Sequence, residues 1–453
     1  MKKTLALILA LAMLALSCMA MAEELPEGYP EVVEGIDFEG KTIYIYDYWT
    51  ASSDREADPD EETQAMYDYR DWLEATYNCK IVQIQKGDWA SNVEEMINFC
   101  SAPDDTLCLY ILAPGFVGTP LANDLLAKWN NDYIDLEDDK WNDATVGFMT
   151  KGGATYGVST GASEPRQCVY FNKRVLEEAG IDWDTIYDMQ ADGTWTWDAF
   201  EELLAKVQRD TDNDGEIDVY GMVAFTSDLW LISVFSNGAS YFEFDENGEL
   251  AVACNSQEAI DALNWAKRVW ETYGYQQPAD GSWDYFKDAW KTGNMAFYVY
   301  QCYGGFNAQG NTNLEMSDME DEYGMVAFPK GPAGENYVTI SSDNVTVIPN
   351  VYDDETAAKL AFIYDMWTNP TPGYEDEDSW SNFLYIYSDD RAVDESYAML
   401  RVSGVADLSL YLGDNNTVFG NQLFWNLGSN EPAALIEAAM DSWNAMCDTF
   451  NGK

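Results

Sequence analysis

Strand-like segments alternate with amphipathic helical segments near one end of the chain, and this alternation constrains the fold more than any other feature. The strand-like segments are 41–47, 80–85 and 106–112, and the helical segments between them are 61–77 and 89–99. The first group is rich in β-branched and aromatic residues, whereas the second carries apolar side chains at helical spacing. Strand, helix, strand, helix, strand predicts a parallel sheet with helices on its faces, and therefore an α/β domain.

The charge of the chain excludes several classes of function. Among 453 residues there are 80 acidic and 24 basic side chains and no histidine, which gives a formal net charge of −56. Nucleic-acid binding depends on Lys and Arg, so we expect no nucleic-acid partner, and acidic or phosphorylated ligands are disfavoured for the same reason. Catalytic mechanisms that need a histidine base and metal sites that need a histidine ligand are therefore excluded. Because 47% of the residues are apolar, the chain is expected to fold.

Residues 1–22 have the layout of a signal peptide. Two lysines precede an apolar run, and Ala20-Met21-Ala22 provides small residues before an acidic segment. We therefore predict export, with a retained membrane anchor as the alternative. The sequence Ala15-Leu16-Ser17-Cys18 resembles a lipobox, so attachment to a membrane through a lipid on Cys18 is a second outcome that the sequence allows.

A run of alternating acidic residues between Asp210 and Asp218 predicts a structural Ca²⁺ site. Alternate carboxylates in a tight loop point at one centre, and a glycine at the sixth position permits the turn. The candidate ligands are Asp210, Asp212, Asp214, Glu216 and Asp218. Gly221 occupies the twelfth position, where an EF-hand has a bidentate Glu, so a complete EF-hand is excluded. The alternative is an acidic turn without a metal.

The aromatic content predicts a carbohydrate ligand. The chain has 17 Trp and 29 Tyr, many beside Asp, Asn or Gln, and sugars stack their C–H faces on rings while their hydroxyls pair with carboxylates and amides. A single Trp is more often a core residue, so the candidates are chosen after predicted strand ends, where open α/β sheets bind ligands. The candidate ligand-binding residues are Trp49, Tyr303, Asp343, Trp230 and Trp425.

Several motifs together resemble the extracellular solute-binding proteins, family 1, the sugar-binding lipoproteins of ABC importers. The motifs are Val169-Tyr-Phe-Asn-Lys through Gly180-Ile181, Gly193-Thr-Trp-Thr-Trp-Asp-Ala-Phe200, the acidic loop ending at Gly221, Gly293-Asn-Met-Ala-Phe297, and Tyr323 to Gly331. The resemblance covers most of the chain after residue 22.

The resemblance implies a two-lobe α/β fold, each lobe a mixed, mostly parallel sheet flanked by helices, with the ligand in the cleft between lobes. The expected division puts residues 37–155 and 294–342 in lobe 1, and residues 156–293 and 343–453 in lobe 2. Tyr303 would face the cleft, and the acidic loop would lie outside it.

The expected function is that of a non-enzymatic binding protein. The chain would bind a neutral carbohydrate, most simply an oligosaccharide, and deliver it to the permease subunits of an ABC importer. Two alternatives stay open. A secreted glycan hydrolase would use a carboxylate pair, which so acidic a chain offers in many places, and a binder of a cationic amine would use aromatic rings and acids as a cage.

Overall fold

The computed structural model describes residues 28–305, 316, 319–375 and 389–453. The strands are β1 Lys41–Asp47, β2 Cys79–Gln85, β3 Leu107–Leu112, β4 Thr150–Lys151, β5 Ala154–Thr155, β6 Gln167–Asn172, β7 Tyr220–Ala224, β8 Phe242–Phe244, β9 Leu250–Val252, β10 Met295–Gln301, β11 Tyr323–Val326, β12 Thr339–Ser341, β13 Val345–Val347 and β14 Gly404–Ala406. The α-helices are α1 Glu61–Thr76, α2 Asn92–Ser101, α3 Gly118–Ala122, α4 Asp143–Phe148, α5 Lys173–Glu178, α6 Asp184–Asp192, α7 Trp197–Val207, α8 Thr226–Ser236, α9 Gln257–Tyr273, α10 Tyr285–Lys291, α11 Asp354–Trp367, α12 Ala398–Arg401 and α13 Pro432–Phe450.

The first sheet has the strand order β13-β3-β1-β2. Strand β1 pairs in parallel with β2 and β3, and the late strand β13 joins β3 in antiparallel fashion. Helix α1 begins after Asp60, whose side chain accepts a hydrogen bond from Thr63 N, and it makes the crossover to β2. Ile43, Leu73 and Leu109 are fully buried between sheet and helix. The prediction of an α/β domain is confirmed.

The second sheet has the strand order β11-β6-β10-β7. Strand β10 is parallel to β7 and antiparallel to β6. Every residue of β6 is buried, because helices cover both faces of the sheet. Helix α8 is also buried from its second residue onward, and its N-terminus follows the end of β7 directly. That start of α8 is therefore held in place by the core of this lobe.

The expected division of the chain between lobes is wrong at two segments. In the segment 294–342, expected in lobe 1, β10 pairs with β6 and β7, and β11 pairs with β6, so both strands belong to the second sheet. Residues 343–367, expected in lobe 2, place β13 and α11 with the first sheet. Within residues 338–348, the strands β12 and β13 belong to different sheets. Local sequence indicates that these residues are extended, but only pairing decides which sheet each strand joins.

Short segments connect the two lobes. The chain passes between them at residues 159–166 and at 342–344, and bridge pairs at Val158 with Thr346 and at Pro165 with Ser341 hold these two segments together. The chain returns to lobe 2 after α11, since Asp389 pairs with Lys173. Connections this short permit a hinge motion and restrict free tumbling of one lobe against the other. The predicted signal peptide, residues 1–22 with Cys18, lies outside the described residues. Within the described ranges no helix is long and apolar enough to cross a membrane.

Candidate ligand-binding site

The carboxyl ends of strands from both sheets face one cavity between the lobes. Tyr48 follows β1 and Gly115 lies just after β3 in the first lobe, while Phe225 follows β7 and Gln301 ends β10 in the second. The cavity between them has a volume of about 340 Å³. Ligands of open α/β sheets bind at the carboxyl ends of strands, so this cavity is the candidate site.

A second and larger cavity continues from the first along lobe 2. It has a volume of about 640 Å³ and shares Phe225, Ser227 and Asn416 with the first cavity. Its other aromatic lining residues are Trp230, Trp270, Trp283, Tyr285, Phe286, Phe424 and Trp425. Together the two cavities have the size and mixed lining that are usual for an organic ligand larger than one sugar ring.

Two tryptophans on the wall of the larger cavity are unusually exposed. Trp283 exposes 70% of its surface and Trp425 exposes 59%, whereas Trp230 beneath them exposes 2%. Indole rings are among the largest apolar surfaces that a protein can bury, so leaving two of them exposed beside one cavity indicates a contact surface for a ligand. Stacking on a sugar ring would cover these indoles.

The floor of the smaller cavity is a buried carboxylate held by two glutamines. Oδ1 of Asp228 accepts hydrogen bonds from Nε2 of Gln167 at 3.0 Å and from Nε2 of Gln301 at 3.3 Å. Burial raises the pKa of the Asp228 carboxyl to about 6, although these hydrogen bonds and the charge of Arg166 act in the opposite direction. The floor therefore presents a carboxyl group whose pKa is raised above that of an exposed Asp.

Lobe 1 supplies an aromatic wall on the opposite side. Tyr48 donates a hydrogen bond to Asn344 Oδ1 at 2.7 Å, which ties the end of β1 to the segment between the lobes. Trp89 is 46% exposed and stands edge-on to Phe116, with ring centroids 4.7 Å apart. A flat ligand entering the cleft would therefore meet aromatic rings on both lobes.

The structure places two of the predicted ligand-binding residues, Trp230 and Trp425, on the wall of the larger cavity. Trp49 is 48% exposed and packs its ring edge-on to the cleft residue Tyr48 at 4.8 Å, but it does not line either cavity. Tyr303 is half-buried, with its hydroxyl 3.0 Å from that of Tyr300, and it too lies outside both cavity linings.

Asp343 lies in the segment between the lobes. Its carboxylate accepts hydrogen bonds from Glu164 N at 2.9 Å and from Asn142 Nδ2 at 3.4 Å, so it joins lobe 1 to both connecting segments. It lines a separate small void beside the cleft. The geometry shows Asp343 as a structural partner at the hinge, and its ligand contact stays a prediction.

Sequence reasoning missed Tyr48, Trp89, Asp228 and Trp283. Tyr48 could have been found, because it directly follows the predicted strand 41–47. Asp228 was not found because β7 was not predicted, so the start of α8 had no strand end before it. Nothing in the local sequence around Trp283 separates it from core tryptophans.

The acidic loop brings three of its five predicted metal ligands together. Carboxylate oxygens of Asp210, Asp212 and Asp218 lie within 4.8 Å of one another, whereas Asp214 and Glu216 are not part of this group. Gly215 has a positive φ of 98°, as the tight turn requires. Hydrogen bonds from Thr211 lower the pKa of the Asp218 carboxyl, so the site presents anionic oxygens, which are the ligands that Ca²⁺ prefers.

Comparison with known proteins gives consistent matches. Residues 114–366 match the family model described as bacterial extracellular solute-binding protein. An arabinooligosaccharide-binding protein of Halalkalibacterium halodurans is 28% identical over 246 residues, which are 52% of this chain and 48% of that protein. The match thus spans about half the length of that curated relative.

Solved structures of similar fold cover nearly the whole chain. The cyclic α-maltosyl-1,6-maltose binding protein of Arthrobacter globiformis has a TM-score of 0.61 at 15% identity, over 90% of this chain and 98% of that one. The GacH receptor of Streptomyces glaucescens, solved unliganded and with acarbose, has a TM-score of 0.59 at 14% identity, over 90% and 99%. At this identity the similarity shows the fold, which is the two-lobe fold expected from the sequence motifs.

Proposed function

Since this chain belongs to the bacterial extracellular solute-binding proteins, we propose that it binds a neutral oligosaccharide in the interlobe cleft and delivers it to the permease subunits of an ABC importer. The observation that carries the proposal is the exposed pair Trp283 and Trp425 beside the larger cavity. Rings placed along a cavity wall fit the flat C–H faces of successive sugar units. The names of the relatives, which bind arabinooligosaccharides or maltose-derived sugars, support the same ligand class.

The charges in the cleft support a neutral ligand over an anionic one. Asp228, Asp407 and Asp414 line the smaller cavity, and the cation that accompanies them in its lining is Arg166. The Arg166 side chain is already engaged by Ser342 O at 2.8 Å and by Glu164 at 3.6 Å. An anionic ligand would therefore meet uncompensated negative charge, whereas sugar hydroxyls can donate to these carboxylates.

Transport follows from closure of the lobes over the sugar. A ligand that contacts the tryptophans of lobe 2 and the aromatic wall of lobe 1 at the same time binds the closed form more tightly than the open one. Such a ligand shifts the population toward the closed form, which the permease then recognises. The protein itself makes and breaks no bond of the sugar in this mechanism.

The proposal is tested by a thermal-shift screen of the purified protein against maltotriose, maltotetraose, arabinotriose and spermidine. We expect at least one oligosaccharide to raise the Tm, because a ligand that binds only the folded state stabilises it. The sugar is then recovered and analysed by chromatography. Recovery of shorter products would show the glycan hydrolase, and stabilisation by spermidine alone would show the amine binder.

We also propose that the acidic loop binds a structural Ca²⁺ through Asp210, Asp212 and Asp218. Three converging carboxylates repel one another, and a divalent cation removes that repulsion. The loop connects α7 to β7, so metal binding would stabilise the lobe that carries Asp228 without taking part in ligand contact. Asp214 and Glu216 would contribute backbone or water-mediated oxygens.

We expect EDTA to lower the Tm of the wild-type protein and added Ca²⁺ to restore it. Asp212→Asn should abolish most of this response, because it removes one anionic ligand. Asp245→Asn is the matched control, since Asp245 caps the acidic turn between β8 and β9 through hydrogen bonds from Asn247 N and Glu249 N. A Ca²⁺ response that Asp212→Asn leaves intact would contradict the proposed site.

Export is consistent with the extracellular family to which the chain belongs. We propose that the chain begins with a signal peptide, and that the exported protein either is cleaved after Ala22 or keeps Cys18 and is anchored through a lipid on it. Intact-mass measurement of the protein purified from its membrane fraction and from the medium distinguishes the two products.

A further inference from the structure

The Asp228 carboxylate has one oxygen that the protein leaves without a hydrogen-bond partner. Oδ1 accepts the two glutamine donors, but Oδ2 is buried and has no partner in the part of the chain that the structure describes. Asp228 is 3% exposed and lines the smaller cavity. Buried polar atoms are nearly always paired, so an unpaired oxygen on a residue that lines a cavity indicates a donor that comes from outside the chain.

The surroundings of Asp228 fix its orientation. Gln167 Oε1 accepts a hydrogen bond from Ile340 N at 3.2 Å, so its amide cannot turn, and Nε2 must face Asp228. Asp228 is the third residue of the buried helix α8, and its backbone N–H donates to Phe225 O at 3.0 Å. The carboxylate is therefore held by its neighbours before any ligand arrives, which lowers the entropy cost of using it as an acceptor.

A second unpaired acceptor lines the same cavity. Oδ1 of Asn415 is also buried and has no hydrogen-bond partner among the described residues. Asn415 lies on the segment that follows the 3-10 turn Leu408–Tyr411, remote in sequence from Asp228. A ligand with two donor groups would satisfy both acceptors, and a sugar carries such hydroxyls along its ring.

We infer that Asp228 determines ligand specificity in the cleft, with Oδ2 accepting a hydrogen bond from a hydroxyl group of the bound sugar and Asn415 Oδ1 accepting from a second hydroxyl. The inference rests on the proposed function and deepens it. It predicts that the ligand is selected for a hydroxyl donor at one position, because an analogue without that hydroxyl leaves the carboxylate unpaired.

Ionisation of Asp228 connects binding to pH. The charged groups that line the same cavity are Arg166, Asp407 and Asp414, and burial raises the pKa of Asp407 as well as that of Asp228 to about 6. Below pH 6 Asp228 is protonated and is a weaker acceptor, so sugar affinity should fall as the pH falls from 7.5 to 5. Because Asp407 is present in both proteins, the ratio of wild-type to Asp228→Asn affinity isolates the contribution of Asp228.

The first test measures the affinity of the purified protein for maltotetraose and arabinotriose by calorimetry. At pH 7.5 Asp228→Asn should lose roughly 10- to 100-fold in affinity for the sugar that the wild type binds more tightly, as for a hydrogen bond to a charged group. At pH 5 the two proteins should differ by less than about threefold, because the protonated acid is also a poor acceptor. Asp365→Asn is the control.

Asp365 suits this role because it is a half-buried carboxylate that lines neither cavity. It lies on α11 of lobe 1, pairs with Lys140 at 2.6 Å, and burial raises its pKa too. Asp365→Asn should lower the Tm of the ligand-free protein and keep the sugar affinity. Asp228→Asn should keep or raise the Tm at pH 8, because folding disfavours the Asp228 charge there.

The possible outcomes of these measurements lead to different conclusions. Equal affinity of the wild type and Asp228→Asn for a sugar that both bind would overturn this inference and leave the proposed function standing. A Tm for Asp228→Asn well below that of the wild type at pH 8 would show a structural carboxylate and also overturn it. If the wild type binds neither sugar, the proposed function fails, and the hydroxyl-acceptor role of Asp228 fails with it.

Discussion

Replacing Trp283 and Trp425 together with alanine is expected to weaken oligosaccharide binding by about 100-fold while leaving the Tm within about 2 °C of the wild type. The two indoles expose 70% and 59% of their surface, so the fold loses little packing when they are removed. Each stacked ring contributes on the order of 1–1.5 kcal/mol to a complex, and two rings give about 100-fold. Calorimetric titration and a thermal melt measure both quantities.

The loss should depend on ligand length. Trp283 and Trp425 line the larger cavity only, so a sugar short enough to stay in the smaller cavity should lose less affinity than maltotetraose. Tyr133→Ala is the matched control, because Tyr133 is a 39% exposed aromatic residue of lobe 1 that lines neither cavity. Unchanged maltotetraose affinity in the double variant would remove the main support for the carbohydrate proposal.

Gly118→Ala is expected to lower the free energy of unfolding by roughly 1–3 kcal/mol, the usual range for overpacking. Gly118 begins α3 of lobe 1, and a Cβ added there would overlap the backbone carbonyl of Tyr411. Tyr411 stacks on Phe148 with ring centroids 4.3 Å apart and donates its hydroxyl to the backbone oxygen of Phe148. A methyl group would therefore push apart a packed contact between the two lobes.

The same substitution should weaken sugar binding, because the displaced segment continues from Tyr411 into Asp414, Asn415 and Asn416 at the cavity wall. Gly147→Ala is the control. Gly147 lies inside helix α4, and a Cβ there meets no atom within 4 Å. Because alanine favours a helix over glycine by up to about 1 kcal/mol, this variant should be neutral or slightly more stable. Urea titrations measure the free energy of unfolding of Gly118→Ala and Gly147→Ala. Equal values for the two variants would contradict the packing argument.

The elements of lobe 1 were predictable because its signals are local. Strand β1 was predicted with its observed bounds, and α1 ends within one residue of the prediction. Periodicity of side chains along one segment depends on that segment alone, so it can be read without knowing the neighbours.

The assignment of strands to lobes was not predictable in this way. Strand β10 and strand β13 are both buried extended segments, and their sequences do not state which sheet they join. Strand β13 reaches β3 by way of residues 342–344, and β10 inserts between β6 and β7. Such pairings are set by contacts between segments that lie far apart in the chain.

The residues of the candidate site could not be identified from local sequence either. Seventeen tryptophans look alike in the sequence, but burial separates Trp443 in the core from Trp283 and Trp425 at the cavity. The unpaired oxygen of Asp228 depends on where β6 and β10 bring Gln167 and Gln301. No local pattern distinguishes this acid from the other 79.

The sequence by itself indicated the α/β elements of lobe 1, the family, and a charge that disfavours anionic ligands, because periodicity, motif order and net charge are properties of the chain as written. The tertiary structure alone decided which strands form each sheet, which tryptophans face the cavity and which carboxylate lacks a donor. The physical reason is that pairing, exposure and hydrogen-bond satisfaction depend on contacts between residues far apart in the chain.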